Sequence, residues 1–167
     1  MNIIKYRTEL DTYQKNVLVK EKIIKYGSND KNEEKLKFNS PDKIVEFLCR
    51  SFNMNRLAEE YMYMIALNTA NYPIGVFEIS HGSVNMSIAS SREIYIRALL
   101  CGATSIVIAH NHPSERIHPS SDDINTTKQL FEAGKLLNVE LLDSIIIGGT
   151  RYKSLKTDFP ELFNKES

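Results

Sequence analysis

The chain has 167 residues, 42% of them hydrophobic and 25% charged, and its 21 basic residues are balanced by 21 acidic ones. This is the makeup of one globular domain with a short extension. It excludes a chain disordered throughout, and no stretch approaches the ~18–20 apolar residues of a membrane span. Met1-Asn2-Ile3-Ile4-Lys5 does not open a signal peptide. Cys49 and Cys101 lie far apart and match no metal spacing, so a cytoplasmic protein without a disulfide framework is expected. Residues 1–40 hold nine Lys/Arg against six Asp/Glu, and the remainder twelve against fifteen. Neither part has the basic surplus of a dedicated nucleic-acid binder.

In chain order, residues 1–38 read as a small unit of their own. Asn16 to Ile24 is rich in β-branched residues and predicts a strand, with Ile3 to Arg7 as its partner. Gly27 to Asn32 has turn or linker composition. Asn39-Ser40-Pro41 starts a helix, a capping residue followed by Pro at the first helical position. Ile44, Val45, Phe47, Leu48 and Phe52 give that helix one apolar face. Tyr63 to Leu67 reads as a buried strand and Asn71-Tyr72-Pro73 as a turn. Ile74 to Ile79 and Val84 to Ile88 read as two more strands around His81-Gly82-Ser83. Arg92 to Cys101 is helical, Thr104 to Ala109 is a short apolar strand, and Ser121 to Asn138 has helical spacing. Val139 to Ile147 is a last long strand, ended by Gly148-Gly149. Strands joined partly as hairpins and partly through helices predict an α/β domain, a mixed sheet flanked by helices.

Three of the four histidines fall within nine residues, in the segment Ala109-His110-Asn111-His112-Pro113-Ser114-Glu115-Arg116-Ile117-His118-Pro119-Ser120-Ser121-Asp122-Asp123. His110 and His112 leave the C-terminal end of an apolar strand, where residues two apart point the same way. Asp123 lies in the first turn of the next helix. Two imidazoles and one carboxylate suit Zn²⁺ with a fourth, open position, which is the catalytic arrangement. Ser120 and Asp123 equally fit a capping box, so spacing alone leaves a helix cap and a metal site both standing. His118 reads as an exposed loop residue. A zinc nucleobase deaminase would need Pro-Cys-x-x-Cys after its first ligand motif; Cys101 precedes the histidines and no cysteine follows them.

The segment resembles the JAMM signature of the JAB/MPN metalloproteases, His-x-His-x7-Ser-x2-Asp, with His110, His112, Ser120 and Asp123 in its fixed positions. The surroundings resemble the RadC-like branch: His-Asn-His-Pro-Ser, Pro-Ser-x-x-Asp, and Glu140-Leu141-Leu142-Asp143 before Ile145-Ile146-Ile147-Gly148. The likeness runs from about Asn39 to Leu155, which leaves residues 1–38 as an extension of unknown role and 39–167 as the domain. Three positions depart from the pattern: Glu115 where Gly is common, Ser91 where Pro is common before Arg92-Glu93, and Ser144 where His commonly follows Asp143. The resemblance implies a JAB/MPN fold of the cytidine-deaminase-like kind, Zn²⁺ on His110, His112 and Asp123, and hydrolysis of a peptide or isopeptide bond in a peptide or protein substrate. It also implies a catalytic glutamate on a strand ahead of the histidines. Glu93 sits at a helix start and Glu115 replaces a family Gly. Glu78, inside the apolar run Val76-Phe77-Glu78-Ile79, is therefore expected as the acid/base. Ser120 is expected to donate to the oxyanion. The alternative reading is a DNA-repair-associated accessory protein of the RadC group. Against it stand the charge balance and the lack, within these residues, of the helix-hairpin-helix that precedes the domain in longer members.

Overall fold

The computed structural model describes residues 1–27, 37–82 and 90–164. The expected strand Val84 to Ile88, and most of the Gly27–Asn32 linker, lie outside the described residues. Seven strands form one mixed sheet: β1 (Asn2–Leu10), β2 (Asn16–Lys25), β3 (Glu60–Leu67), β4 (Pro73–Gly82), β5 (Ser105–Asn111), β6 (Glu140–Gly148) and β7 (Arg151–Ser154), in the spatial order β2-β1-β4-β3-β5-β6-β7. The helices are α1 (Pro41–Phe52), α2 (Ser91–Cys101), α3 (Ser121–Leu137) and the single turn α4 (Leu155–Asp158), with a 3₁₀ turn at Pro160–Phe163. The α/β class expected from the sequence is the architecture observed.

The sheet has a core on each side because its central strands are buried on both faces. Met62, Met64 and Ala66 of β3 join Ile106 and Ile108 of β5 beneath α2 and α3, which supply Ile94, Tyr95, Ala98, Leu130 and Phe131. The alternate residues Tyr63, Ile65, Leu67, Val107 and Ala109 pack under α1, against Ile44, Phe47 and Leu48. The period of two along a strand makes that division. The β5-α3-β6 crossover pairs two strands in parallel and brings the N-terminus of α3 back over the C-terminal end of β5.

Residues 1–25 are not set apart from the domain. β1 and β2 pair antiparallel along their whole length, and β1 joins β4 in parallel through Lys5↔Val76 and Tyr6↔Phe77. Ile3 is fully buried and Ile24 nearly so, both in the core beneath α1. The β-rich N-terminal segment was expected, but the unit it forms is the edge of the one sheet. Helix starts follow their caps in part. α1 has Pro in its first turn, yet Ser40 makes no side-chain cap bond, and Ser90 before α2 makes none either. Ser120 before α3 closes a full capping box.

Candidate metal centre

β5 carries His110, buried at 1% exposure, and ends one residue before His112. The two imidazoles meet with their Nε2 atoms 3.0 Å apart. Asp123, in the first turn of α3, is also 1% exposed. Its Oδ1 stands 3.3 Å from His110 Nε2 and its Oδ2 3.9 Å from His112 Nε2. Ligand atoms at the usual ~2.0–2.1 Å from a tetrahedral Zn²⁺ lie about 3.3 Å from one another. The His110–His112 and His110–Asp123 Oδ1 separations lie near that spacing, while His112 comes nearest the other Asp123 oxygen, at 3.9 Å.

The ring orientations agree with that use. His112 Nδ1 faces the Arg116 carbonyl. A carbonyl can only accept, so Nδ1 donates there and Nε2 is the ring nitrogen turned inward. Burial pushes the His110 pKa down, against the raising pull of Asp123 and with the help of His112. His110 is thus neutral near pH 7, and its contact with Asp123 is a convergence of donor atoms and not an ion pair. His110 Nδ1 is buried without a hydrogen-bond partner among the described residues, as are the hydroxyls of Thr127 and Ser144.

Ser120 and Asp123 form the capping box that their spacing allows, and Asp123 also faces the histidines. The Ser120 amide donates to Asp123 Oδ2 at 2.6 Å and the Ser120 hydroxyl to the same oxygen at 2.8 Å, while the Asp123 amide donates back to Ser120 Oγ at 3.2 Å. The cap thus holds the carboxylate in the orientation that presents Oδ1 to His110.

Glu78 is not brought to this centre. It pairs with Tyr63 across β3–β4, whereas His110 pairs with Met62 across β3–β5. Adjacent strand residues point to opposite faces, so Glu78 lies on the α1 side and His110 on the α3 side. There its carboxylate binds Lys5 Nζ at 3.1 Å, His81 Nδ1 at 3.0 Å and Tyr63 Oη at 3.3 Å. Burial works against its charge, but the bonds and charges of Lys5 and His81 hold its pKa below the ordinary value. Such a carboxylate is a poor proton acceptor. Glu93 bridges Arg92 and Arg97 on the surface.

The glutamate that reaches the histidines is Glu60, the first residue of β3. One carboxylate oxygen and the two imidazoles all lie within 4.8 Å of one another. Glu60 sits two residues before Met62, on the same face of β3, and opposite Gly82. Burial pushes its pKa up, helped by Asp123 and opposed by His112. The strand read from the sequence starts at Tyr63, whereas β3 starts at Glu60, so composition alone treats Glu59-Glu60 as a polar flank. Alternation carried back from Met64 through Met62 would have put Glu60 on a buried face.

Two depressions flank Pro113 beside the centre. One, of about 140 Å³, is lined by Arg56, Asn111, His112, Glu115 and Gly149; the other, of about 350 Å³, by Ala58, Glu59, Glu60 and Gly82. A larger cavity of about 450 Å³ lies at the far end of the sheet, between Phe131 of α3 and Glu140 of β6. It holds no cluster of metal-binding groups, so size does not mark the site here.

The comparisons with known proteins point to one family. The model of the RadC-like JAB domain matches residues 38–159. A UPF0758 protein of Clostridium acetobutylicum is 43% identical over 131 residues, covering 77% of this chain and 55% of its own. A UPF0758 protein of Clostridium tetani is 48% identical over 103 residues, covering 62% and 45%. One from Alkaliphilus metalliredigens is 44% identical over 117 residues, covering 70% and 50%. The chain thus spans about half the length of these curated relatives. With the matched segment containing strands β3 to β7, the four helices and the paired histidines, the chain belongs to the RadC-like JAB domain family.

Proposed function

We propose that the domain is a zinc-dependent hydrolase of the JAMM type that cleaves a peptide or isopeptide bond. The observation that carries this reading is the convergence of His110, His112 and the Asp123 carboxylate, with contacts of 3.0–3.9 Å around the buried His110 and Asp123. In this reading those three residues hold the ion, and a bound Zn²⁺ supplies the charge that polarises a carbonyl and makes water a nucleophile near neutral pH.

The remaining work falls to side chains of the protein. Glu60 takes the proton from the attacking water and delivers it to the departing amine, because it is the carboxylate that reaches the two imidazoles without belonging to the helix cap. This replaces Glu78, whose oxygens are spent on Lys5, His81 and Tyr63. The Ser120 hydroxyl first holds Asp123. Turned away from that carboxylate, it donates to the oxygen of the tetrahedral intermediate. The depressions on either side of Pro113 receive the chain on the two sides of the scissile bond.

The test is a cleavage screen of peptide and isopeptide libraries with zinc-loaded protein, run beside Glu60→Gln and Asp123→Ala. Turnover in the parent that both variants lose supports the proposal. Turnover that persists in Asp123→Ala, or its absence from every library, rejects it.

A further inference from the structure

Asn111 separates the two histidines, and its side chain leaves β5 on the other face. It is 2% exposed. Backbone pairing between β3 and β5 stops at Met62↔His110, so the first residues of β3 have no main-chain partner on β5. The Asn111 carboxamide takes over there. Its Oδ1 accepts from the Tyr61 amide at 2.8 Å, and its Nδ2 donates to the Glu59 carbonyl at 3.0 Å. One side chain thus grips the main chain on both sides of Glu60.

We propose that Asn111 is the positioning residue that fixes Glu60 against the metal centre. This rests on the reading of Glu60 as the acid/base. The grip needs one donor and one acceptor in a fixed plane, which a carboxamide has and neither a carboxylate nor an alkyl chain has. The Asn111 end of both bonds is buried, where an unmade bond is most damaging. With residues 59 and 61 held, β3 cannot swing away, and alternation turns the Glu60 side chain to the histidine face. The tripeptide His-Asn-His then serves the site three times: two rings point to one face as ligands, and the amide between them fixes the third group from the other face.

The full chain is prepared as Asn111→Ala, Asn111→Asp, Glu60→Gln and the Asn111→Ala/Glu60→Gln double variant. Zinc content, the visible absorption of the Co²⁺-loaded protein and the exchange rate of the Tyr61 amide are measured. Zinc stoichiometry should be retained throughout, since no variant touches a ligand. Exchange at Tyr61 should accelerate roughly five- to tenfold in Asn111→Ala, the equivalent of one net hydrogen bond. It should accelerate less in Asn111→Asp, which keeps the acceptor, and this variant carries the test if Asn111→Ala fails to fold. Glu60→Gln should alter the Co²⁺ band, Asn111→Ala should alter it in the same way, and the double variant should match Glu60→Gln. A parental band in Asn111→Ala, or changes that add in the double variant, would overturn the positioning role. If Glu60→Gln itself leaves the band unchanged, the role of Glu60 is rejected. Tyr61 exchange then decides separately whether the grip exists.

Discussion

Asp123 serves two structures with one carboxylate. Oδ2 takes both bonds from Ser120 and closes the cap of α3, while Oδ1 is left facing His110. Removing the Ser120 hydroxyl should therefore act twice. Ser120→Ala is expected to lose about 1 kcal/mol of stability, the usual effect of a lost N-cap. It should also weaken zinc binding by about 10–100-fold, the usual effect of losing a group that orients a ligand. Chemical denaturation and a competitive chelator titration read the two effects independently, and unchanged zinc affinity would show that the cap does not orient Asp123. For the glutamates, Glu60→Gln should keep zinc and lose turnover by about 10²–10⁴, the usual contribution of a positioned base. Glu78→Gln should leave turnover intact; its loss there would return the role to Glu78. At this scale the histidines and Asp123 were legible because their spacing is short-range: a strand end, a loop and a helix start. The glutamate proposed as acid/base was not, because whether Glu60 or Glu78 faces the histidines depends on which strands neighbour β3 and on their register. A β-bulge between Met62 and Tyr63 shifts that register further.

The contact of β1 with β4 shows how one ion pair can set the pH range of an element. Burial opposes the charge of Lys5, but bonding to Glu78 and Glu21 raises its pKa above 10.5, and Glu78 is held below 4.5. A lowered carboxylate stabilises above its unfolded value and loses that contribution as pH falls through the folded one. A raised lysine stabilises below its unfolded value and loses it as pH rises through the folded one. The docking of the hairpin should be firmest between about pH 4.5 and 10.5. Glu78→Gln should flatten the acid limb of the stability profile; an unchanged limb would mean that other carboxylates control it. In the loop after β5, Glu115 adopts φ 58°, the left-handed region, which favours a residue without a side chain. Glu115→Gly should stabilise by about 1 kcal/mol, read as a raised urea midpoint at constant slope. The helices and central strands were legible from periodicity because each buries a continuous face. β7, α4 and the final 3₁₀ turn were not, since four residues apiece are too short to show a period.

Over the whole molecule, the domain and its N-terminal segment form one sheet, although the family match begins only at residue 38. Composition suggested a boundary near the Gly27–Asn32 stretch, and local composition carries no information on long-range pairing such as Lys5↔Val76. If the hairpin shares the core, Ile3→Ala should destabilise the entire chain by about 2–5 kcal/mol, as a buried isoleucine does, within a single cooperative transition. A separate early transition would instead make the hairpin an independent unit. No helix among the described residues is long and apolar enough to cross a membrane. The central claim is that β5 and α3 exist in this arrangement to place His110, His112 and Asp123 around one ion. Elemental analysis of the purified full chain beside His110→Ala, His112→Ala and Asp123→Ala tests it most directly. The account predicts one zinc per parent chain and loss of that zinc in each variant while the circular dichroism of the fold persists; full zinc retention in both histidine variants would contradict it.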